Sequence, residues 1–307
     1  MTLIDKDVLI AGAQEFIAPY IYDAVEKVMA TDDARLWLLG TGSSAGIRFD
    51  LNAGVPELPA DMSTVIYCDV LDDRGKSYNV ETAVQSVKNL VASLEQHIPA
   101  NLVYVSSVAV YGVKSGAAIG ESVVPSPDTR YGKAKLAVEE LLTQWCESRG
   151  VKLAILRPAM IVGTGMGGEL RTLVNRIYRG SYRHIAGNDA QVSVVHATSL
   201  ADAVVAVIGR QGVWNVTDGN TTSRHDLAEA LAWRLDHKRI YTLPLSKARV
   251  IARVNDWLPL YWLDSEALEH EMSTLTFSNE ALVTETGFSP VCTVDYMRTH
   301  NYDESSL

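Results

Sequence analysis

The chain has 307 residues with a formal net charge of −10, and 47% of them are apolar and 21% charged, which suits one large globular unit or two lobes. The acidic balance disfavours a nucleic-acid partner, and no apolar run approaches the ~18 residues of a membrane span, so we predict no membrane partner either. The three cysteines lack ligand-like spacing and residues 1–7 are too polar for a signal peptide, so we expect no disulfide scaffold, no metal site and a cytoplasmic protein.

Short β-branched runs alternate with longer amphipathic segments through the first two-thirds of the chain. The predicted strands are residues 8–12, 36–40, 47–51, 64–68, a run beginning at 103, and 153–158. The predicted helices between them are 17–29, about 79–96 and one that contains Tyr131. Apolar strands separated by helices favour a parallel sheet covered on both faces. We therefore predict an α/β fold with a doubly wound parallel sheet of the Rossmann class.

The pattern becomes less regular after residue 158. Helices are predicted at 171–178, 199–208 and 227–235, and a strand at 192–196. We predict a dinucleotide-binding Rossmann domain at 1–160, to which part of 192–212 returns. Residues 161–307 are predicted to form mainly a smaller C-terminal α/β lobe that binds substrate. Its aromatic residues Trp257, Tyr261 and Trp262 are interpreted as lobe core or a partner surface.

Tyr131 and Lys135 are spaced to lie one helical turn apart on the same helix face. A lysine there favours the phenolate of the tyrosine, whose reference pKa is about 10, and brings it closer to a pH at which it exchanges protons. Upstream, the β-rich run 103–112 carries Ser106 and Ser107. A serine, a tyrosine and a lysine in this order indicate proton transfer at a carbinol or carbonyl carbon.

Five segments, in the same order along the chain, resemble the extended short-chain dehydrogenase/reductase family, in particular its NAD-dependent epimerase/dehydratase branch acting on nucleotide sugars. They are 106–112 (Ser-Ser-Val-Ala-Val-Tyr-Gly), 121–135, 156–163, 195–203 and 279–290. By this resemblance Tyr131 is the general acid/base, Lys135 binds the nicotinamide ribose and lowers the tyrosine pKa, and Ser107 hydrogen-bonds the reacting oxygen.

The same resemblance implies NAD or NADP as cofactor, a small-molecule substrate, and a homodimer formed through a four-helix interface that includes the Tyr131 helix. The implied cofactor contacts are Gly12, Phe16, Ile17, Thr41, Ser43, Asp50, Leu51, Tyr131, Lys135 and Pro158. The implied substrate contacts are Ser107, Val108, Arg171 and His196. Arg171 belongs to a group with Arg176, Arg179 and Arg183, which either bind an anion or form a solvated helix face.

The glycine motif of the family, G-x-x-G-x-x-G, is only partly present. Residues 12–18 keep Gly12 and carry Glu15 and Ala18 at the other two positions. The alanine is a mild change, whereas the glutamate adds bulk and negative charge where the cofactor diphosphate would meet a helix N-terminus. Asp69 adds a second carboxylate near the expected groove.

Two further positions depart from the family pattern. Ala83 stands where relatives carry an asparagine, and Asn79, one turn earlier, could replace it. At the end of the second strand the sequence Gly-Thr-Gly-Ser-Ser (40–44) replaces the usual acidic residue. Its hydroxyls and Arg48 either suit a 2′-phosphate or form a simple turn.

The sequence therefore predicts an NAD(P)-dependent oxidoreductase or epimerase acting on a nucleotide sugar or a similar hydroxyl or ketone metabolite. An Asp-Glu pair, the mark of dehydratases, is absent after Ser107, which favours reduction or epimerisation over dehydration. The alternative is a non-catalytic Rossmann-fold subunit or sensor that has lost tight dinucleotide binding. Glu15, Ala18, Asp69 and Ala83 motivate that alternative.

Overall fold

The structure of the chain is a computed structural model that describes residues 4, 6–29, 34–60, 62–68, 79–235, 238–257 and 263–299. The predictions for Asp69, Tyr261 and Trp262 lie outside the described residues.

Strands and helices alternate through the first half of the chain, as the hydrophobic pattern predicts. In chain order the strands are β1 (Asp7–Ala11), β2 (Leu36–Gly40), β3 (Ile47–Arg48), β4 (Met62–Tyr67), β5 (Asn101–Val105), β6 (Gly116–Ile119), β7 (Lys152–Pro158), β8 (Met160–Val162), β9 (Arg183–Ile185), β10 (Gln191–Val192), β11 (Val194–His196), β12 (Gly212–Val216), β13 (Thr222–Ser223), β14 (Tyr241–Leu243) and β15 (Leu275–Phe277). The helices are α1 (Ala18–Glu26), α2 (Val80–Leu94), α3 (Arg130–Arg149), α4 (Gly168–Tyr178), α5 (Ala197–Val207), α6 (Arg224–Arg234), α7 (Leu245–Trp257), α8 (Ser265–Glu271), α9 (Glu280–Thr286) and α10 (Thr293–Thr299).

Seven of the described strands form one sheet in the order β12-β7-β5-β4-β1-β2-β3. Every neighbouring pair in this sheet is parallel. Because side chains alternate along a strand, Val8 and Ile10 of β1 pack with α1 and α5 on one face, whereas Leu9 and Ala11 pack with α2 and α3 on the other. The predicted doubly wound parallel sheet is confirmed.

Part of the C-terminal half of the chain returns to the main sheet of the first lobe. Helix α5 packs on the main sheet beside α1, and β12 forms the edge of that sheet, so residues 197–216 return to it. Sheet β13-β10-β15-β6 and the pairs β8/β11 and β9/β14 build the rest, with helices α4, α6 and α10 around one apolar core and α7 and α8 around another.

Several element boundaries differ from the predicted ones. The predicted strand 192–196 divides into β10 and β11, which belong to different sheets. Ser193 lies between the two strands, and its Oγ accepts from the Phe277 N–H at 2.9 Å. The predicted strand 47–51 stops after Arg48, where Asp50 begins a turn with Asn52. The predicted helix 227–235 begins earlier because Ser223 caps it, accepting from the Asp226 N–H at 3.0 Å.

No described helix combines the length and the apolar character required to cross a membrane.

Candidate active site

Lys135 is fully buried at the carboxyl end of β5. Its Nζ donates to the Val105 carbonyl at 3.0 Å and lies 5.1 Å from the centre of the Tyr104 ring and 5.8 Å from that of Tyr131. A buried ammonium is stable only where hydrogen bonds and aromatic faces replace its water. These contacts therefore hold the lysine charge beside the Tyr131 ring, as the four-residue spacing predicts.

Ser107 and Val108 stand opposite the start of α3. The predicted strand ends at Val105, and residues 108–111 form a 3-10 turn that Ser107 caps, its Oγ accepting from the Ala109 N–H at 3.2 Å. Helix α3 approaches this turn so closely that a Cβ on Gly132 would collide with the Ala109 carbonyl oxygen. The glycine after Tyr131 thus permits the approach, and both Ser107 and Tyr131 stay partly exposed.

A buried polar network underlies this corner. The Glu139 carboxylate accepts from Arg157 Nε at 3.0 Å and Nη2 at 2.6 Å and from the Ser106 hydroxyl. The Arg157 guanidinium covers the Tyr111 ring at 4.9 Å, and the Tyr111 hydroxyl donates to the Asn215 side chain at 2.8 Å. The network joins α3 to the ends of β5, β7 and β12, directly beneath Ser107 and Pro158.

The electrostatics of the network follow from its burial. Burial by itself would lower the pKa of Arg157, but the hydrogen bond and charge of Glu139 raise it above its ordinary value. Burial raises the pKa of Tyr111, which therefore stays neutral. Glu121, interpreted as an ordered loop residue, closes the network by accepting the Asn215 N–H at 2.8 Å.

Gly12 begins the loop between β1 and α1 and has a φ of +112°. A Cβ at this position would lie 2.6 Å from the Cys68 carbonyl oxygen. Only glycine suits such a backbone without strain. The first glycine of the motif is therefore required by the fold itself, and it lets the loop pass close to the carboxyl end of β4.

Glu15 occupies the second glycine position. Ala118 is the only described non-glycine residue with a positive φ, so the backbone at Glu15 accepts a side chain. The Glu15 N–H donates to the Gly12 carbonyl at 2.9 Å, and its own carbonyl accepts from the Ala18 N–H at 3.0 Å. Glu15 is partly buried, and its negative charge would oppose a diphosphate bound at this helix N-terminus.

Gln14 was not among the residues predicted to form the site. Its Oε1 lies against Gly40, where a Cβ would collide with it, and accepts from the Thr41 N–H at 3.4 Å. The side chain therefore connects the glycine loop to the end of β2, where an acidic residue is usual in NAD-binding sheets. The glycines at 40 and 42 could have predicted this contact from the sequence, because a glycine in a strand often indicates that another part of the chain packs closely against it.

Two predicted cofactor contacts at the start of α1 have different surroundings. The Ile17 side chain is fully buried between α1 and α5, so any contact with a cofactor would use its backbone. Phe16 is partly exposed beneath the loop after β8, where a Cβ on Gly165 would lie 3.2 Å from it. One turn later, the Tyr20 hydroxyl accepts from the Thr164 N–H at 2.9 Å.

The predicted contacts after β2 lie at the open edge of the sheet. Thr41, Ser43 and Arg48 are exposed, so both the 2′-phosphate and the simple-turn interpretation stay open. Asp50 is exposed and accepts from the Asn52 N–H at 2.9 Å, while the Leu51 carbonyl accepts from the Asn89 side chain.

Arg171 lines a cavity of about 440 Å³ in the second lobe, between α4, α6 and α8. Arg176 lies over the Tyr182 ring at 5.2 Å, and burial lowers its pKa. Arg224 donates to the His270 carbonyl at 3.2 Å and lies 3.9 Å from the Glu271 carboxylate. Three arginines and two glutamates, Glu169 and Glu271, line this cavity, so its charged lining carries a small excess of positive charge. Ser107, Tyr131 and Lys135 do not line it.

His196 is placed differently from its predicted contact with substrate. It is fully buried and caps α5, its Nδ1 accepting from the Thr198 N–H at 3.3 Å. Its ring packs against Tyr296 at 4.4 Å and Tyr20 at 6.2 Å. In this position His196 packs against two tyrosine rings and caps α5.

Asn79 likewise has a structural role. Its Oδ1 accepts from the N–H and the hydroxyl of Thr82, both at 2.8 Å, and so caps α2. Ala83 is buried in the core under the same helix. Asn79 therefore lies at the start of α2, one turn before Ala83, with its Oδ1 used by the cap.

The described residues form a seven-stranded parallel sheet, which defines a Rossmann-type α/β protein. A serine, a tyrosine and a buried lysine lie at the carboxyl edge of this sheet. The chain belongs to the NAD-dependent epimerase/dehydratase family, whose model matches residues 64–217, just over half of the chain. The resemblance drawn from the five sequence segments is confirmed.

Individual relatives are distant. The chain is 24% identical to a UDP-glucose 4-epimerase of Vibrio cholerae over 274 residues, which cover 78% of this chain and 79% of the relative. It is 28% identical over 123 residues, 39% of this chain and 37% of the relative, to the N-acetyl-alpha-D-glucosaminyl-diphospho-ditrans,octacis-undecaprenol 4-epimerase of Escherichia coli O157:H7.

Solved structures support the fold. The UDP-glucose 4-epimerase of Thermus thermophilus in complex with NAD matches with a TM-score of 0.65 and 18% identity, covering 96% of this chain and 100% of that one. Such a likeness establishes the fold alone. The matches to two curated relatives span only 41% and 37% of their length.

Proposed function

We propose that the chain is an NAD(P)-dependent oxidoreductase or epimerase that acts on a nucleotide sugar or a similar hydroxyl or ketone metabolite. One observation carries the proposal: Lys135 is fully buried, donates to the Val105 carbonyl at 3.0 Å and lies 5.8 Å from the Tyr131 ring. A buried cation beside a partly exposed phenol is costly to maintain for structure alone. Membership of the epimerase/dehydratase family supports the same interpretation.

In the proposed reaction Tyr131 is the general acid/base. Its phenolate accepts the proton of the substrate hydroxyl while the carbinol carbon is oxidised to a carbonyl, and it returns the proton when that carbonyl is reduced. The Lys135 charge stabilises the phenolate between these events. Ser107, partly exposed on the 3-10 turn, donates a hydrogen bond to the reacting oxygen. A nicotinamide, when bound, supplies the hydride acceptor.

The cofactor would be held along the carboxyl edge of the sheet. Gly12 permits close approach of the backbone, Asp50 and Leu51 lie at the outer edge, and Pro158 ends β7. The anionic part of a nucleotide sugar would bind in the cavity that Arg171, Arg176 and Arg224 line. UDP-glucose is the first substrate to test, because it appears in the names of two relatives.

The test begins with cofactor binding. We expect purified protein to gain thermal stability with NAD, NADH, NADP or NADPH, because a ligand that binds the native state raises its stability. A gain with only the phosphorylated pair would favour the 2′-phosphate interpretation of residues 40–48. No gain with any of the four at millimolar concentration would contradict the proposal and support the non-catalytic alternative.

The role of Tyr131 is tested by Tyr131→Phe. We expect turnover to fall by about 100- to 10,000-fold, the usual worth of a general acid/base, with cofactor affinity nearly unchanged. Tyr178→Phe is the matched control, since Tyr178 is exposed on α4 away from the sheet edge, and should keep full activity. Full activity in Tyr131→Phe would refute the assigned role.

We further propose a cytoplasmic homodimer that associates through a four-helix interface that includes α3. Light scattering in solution should then give twice the mass of the chain, and the mass of a single chain would contradict it.

A further inference from the structure

Helix α7 has one face in the interior of the second lobe. Ala248 and Ala252 are buried and pack with Ile185, Leu263 and Leu268, and Asn255 is buried on the same side. The spacing of four and three residues places these side chains along one line of the helix. This face needs no further partner.

The opposite face of α7 exposes three large apolar side chains. Val250 is 62% exposed, Val254 48% and Trp257 93%. Their spacing of four and three residues again makes a single line, which points directly away from the buried alanines because each residue turns the helix by about 100°. Water thus contacts an aligned apolar stripe that ends in a tryptophan.

Basic residues flank the stripe on both sides. Lys247 lies on one side of it, and Arg249 and Arg253 lie on the other, and all three are exposed. Asp256 is the one acidic residue of this fully described helix. Its carboxylate accepts hydrogen bonds from the Ser265 N–H at 2.8 Å and from the Ser265 hydroxyl at 2.6 Å. The helix is therefore locally cationic in a chain whose net charge is −10.

We propose that the exposed face of α7 docks onto an anionic phospholipid surface. Apolar side chains in line, a tryptophan at the helix end and basic residues on both flanks are the features that let a helix lie in the plane of a membrane interface. Val250, Val254 and Trp257 enter the headgroup region, and Lys247, Arg249 and Arg253 meet the lipid phosphates. Two-fold pairing of this face with itself would oppose like charges.

This inference goes beyond the proposed function and does not depend on it. The sequence predicted no membrane partner because it contains no membrane-spanning run, and a helix lying on a surface does not need one. Trp257 was interpreted as lobe core or a partner surface, and its exposure favours a partner surface.

The experiment measures co-sedimentation of the full chain with vesicles. One set contains equal parts of phosphatidylcholine and phosphatidylglycerol, and the other contains phosphatidylcholine alone. We expect binding to the anionic vesicles that weakens steeply with added salt, and much weaker binding to the neutral ones. Absence of binding to anionic vesicles at low salt would overturn the proposal.

Variants assign the binding to α7. Trp257→Ser should weaken partitioning on the order of tenfold. Arg249→Gln combined with Arg253→Gln should weaken it by about thirtyfold, since each basic residue near an anionic surface contributes about fivefold. The controls are Trp233→Ser on α6 and the pair Lys152→Gln with Arg210→Gln, all at exposed positions elsewhere. Equal losses in the test and control variants would overturn the proposal.

The exposed face of α7 could instead be covered by another subunit of this protein, and the experiment distinguishes that case. Light scattering of the wild type and of Trp257→Ser, without vesicles, separates the two. If Trp257→Ser lowers the oligomeric mass and leaves vesicle binding intact, α7 is a subunit interface and the lipid proposal fails. Unchanged mass with lost vesicle binding supports it.

Discussion

The corner that holds Tyr131 and Lys135 is the proposed catalytic corner, and the loop that begins at Gly12 is the proposed cofactor loop. Both lie along the same edge of the same sheet, yet they are stabilised in different ways. At the corner, Lys135, Glu139 and Arg157 are buried and joined to three strand ends by hydrogen bonds. At the loop, the shape comes from the backbone of Gly12, while Gln14 and its neighbours Thr41 and Ser43 are exposed. The departures of this chain from its family pattern at Glu15, Ala18 and residues 40–44 all belong to the second region. Loop positions at the protein surface vary more readily than buried ones, and Glu15, Thr41 and Ser43 are at least partly exposed, whereas Ala18 is buried in α1.

The largest effect should follow from breaking the buried network. Arg157→Met removes both hydrogen bonds to the Glu139 carboxylate and leaves it charged in the interior. We expect a loss of about 3–5 kcal/mol in the free energy of unfolding, the usual cost of an uncompensated buried charge. Urea unfolding at neutral pH measures it.

Two further variants control this prediction. Arg149→Met breaks the solvent-exposed pair with Glu95 and should cost much less, because water and salt screen that pair. Combining Arg157→Met with Glu139→Leu should recover part of the loss, since no unpaired charge is then buried. A single-variant loss no larger than that of Arg149→Met would show that the network does not hold the corner.

A smaller effect is expected from Gly12→Ala in the cofactor loop. The added Cβ would lie 2.6 Å from the Cys68 carbonyl oxygen on a backbone with a φ of +112°. Strain of this kind costs about 1–3 kcal/mol, which thermal or urea unfolding detects. Cofactor affinity should fall as well, because the loop must shift.

Gly42→Ala is the matched control for this loop. It lies near Gln14 in the same region, but its nearest neighbours would be 3.7 Å from the new Cβ and its φ is not in the left-handed range. We expect near-wild-type stability. Equal destabilisation by the two variants would mean that backbone shape is not what Gly12 provides.

The smallest effect concerns charge. Glu15→Gln removes the carboxylate that opposes a diphosphate, and like charges about 4 Å apart cost on the order of 1 kcal/mol in water. NAD affinity should therefore rise several-fold in calorimetric titration, with stability nearly unchanged. Glu26→Gln, at the other end of α1, should leave affinity unchanged. An unchanged affinity in Glu15→Gln would indicate that its carboxylate points away from the cofactor.

Much of the fold was predictable because it depends on local pattern. Apolar strands such as β1 and β7 are buried on both faces, and that burial is visible as an uninterrupted run of β-branched and apolar residues. The Tyr131–Lys135 spacing was equally visible, since the turn of a helix sets it. The start of α2 was predicted correctly at about Asn79, whereas α6 begins before its predicted start because Ser223 caps it.

Long-range contacts account for what was missed. Glu139 and Arg157 are 18 residues apart, and Tyr111 and Asn215 are 104 apart, so no periodicity connects them. His196 was predicted to contact substrate, and only the tertiary structure shows that its ring lies between Tyr20 and Tyr296.

The sequence by itself determined the parallel sheet, the helix that carries Tyr131 and Lys135, and the family, because each depends on residue order and short-range periodicity. The tertiary structure alone decided which charged groups are buried and paired, which glycine the backbone requires, and that one face of α7 is left in water. These outcomes depend on distances between residues far apart in the chain, and such distances exist only once the chain has folded.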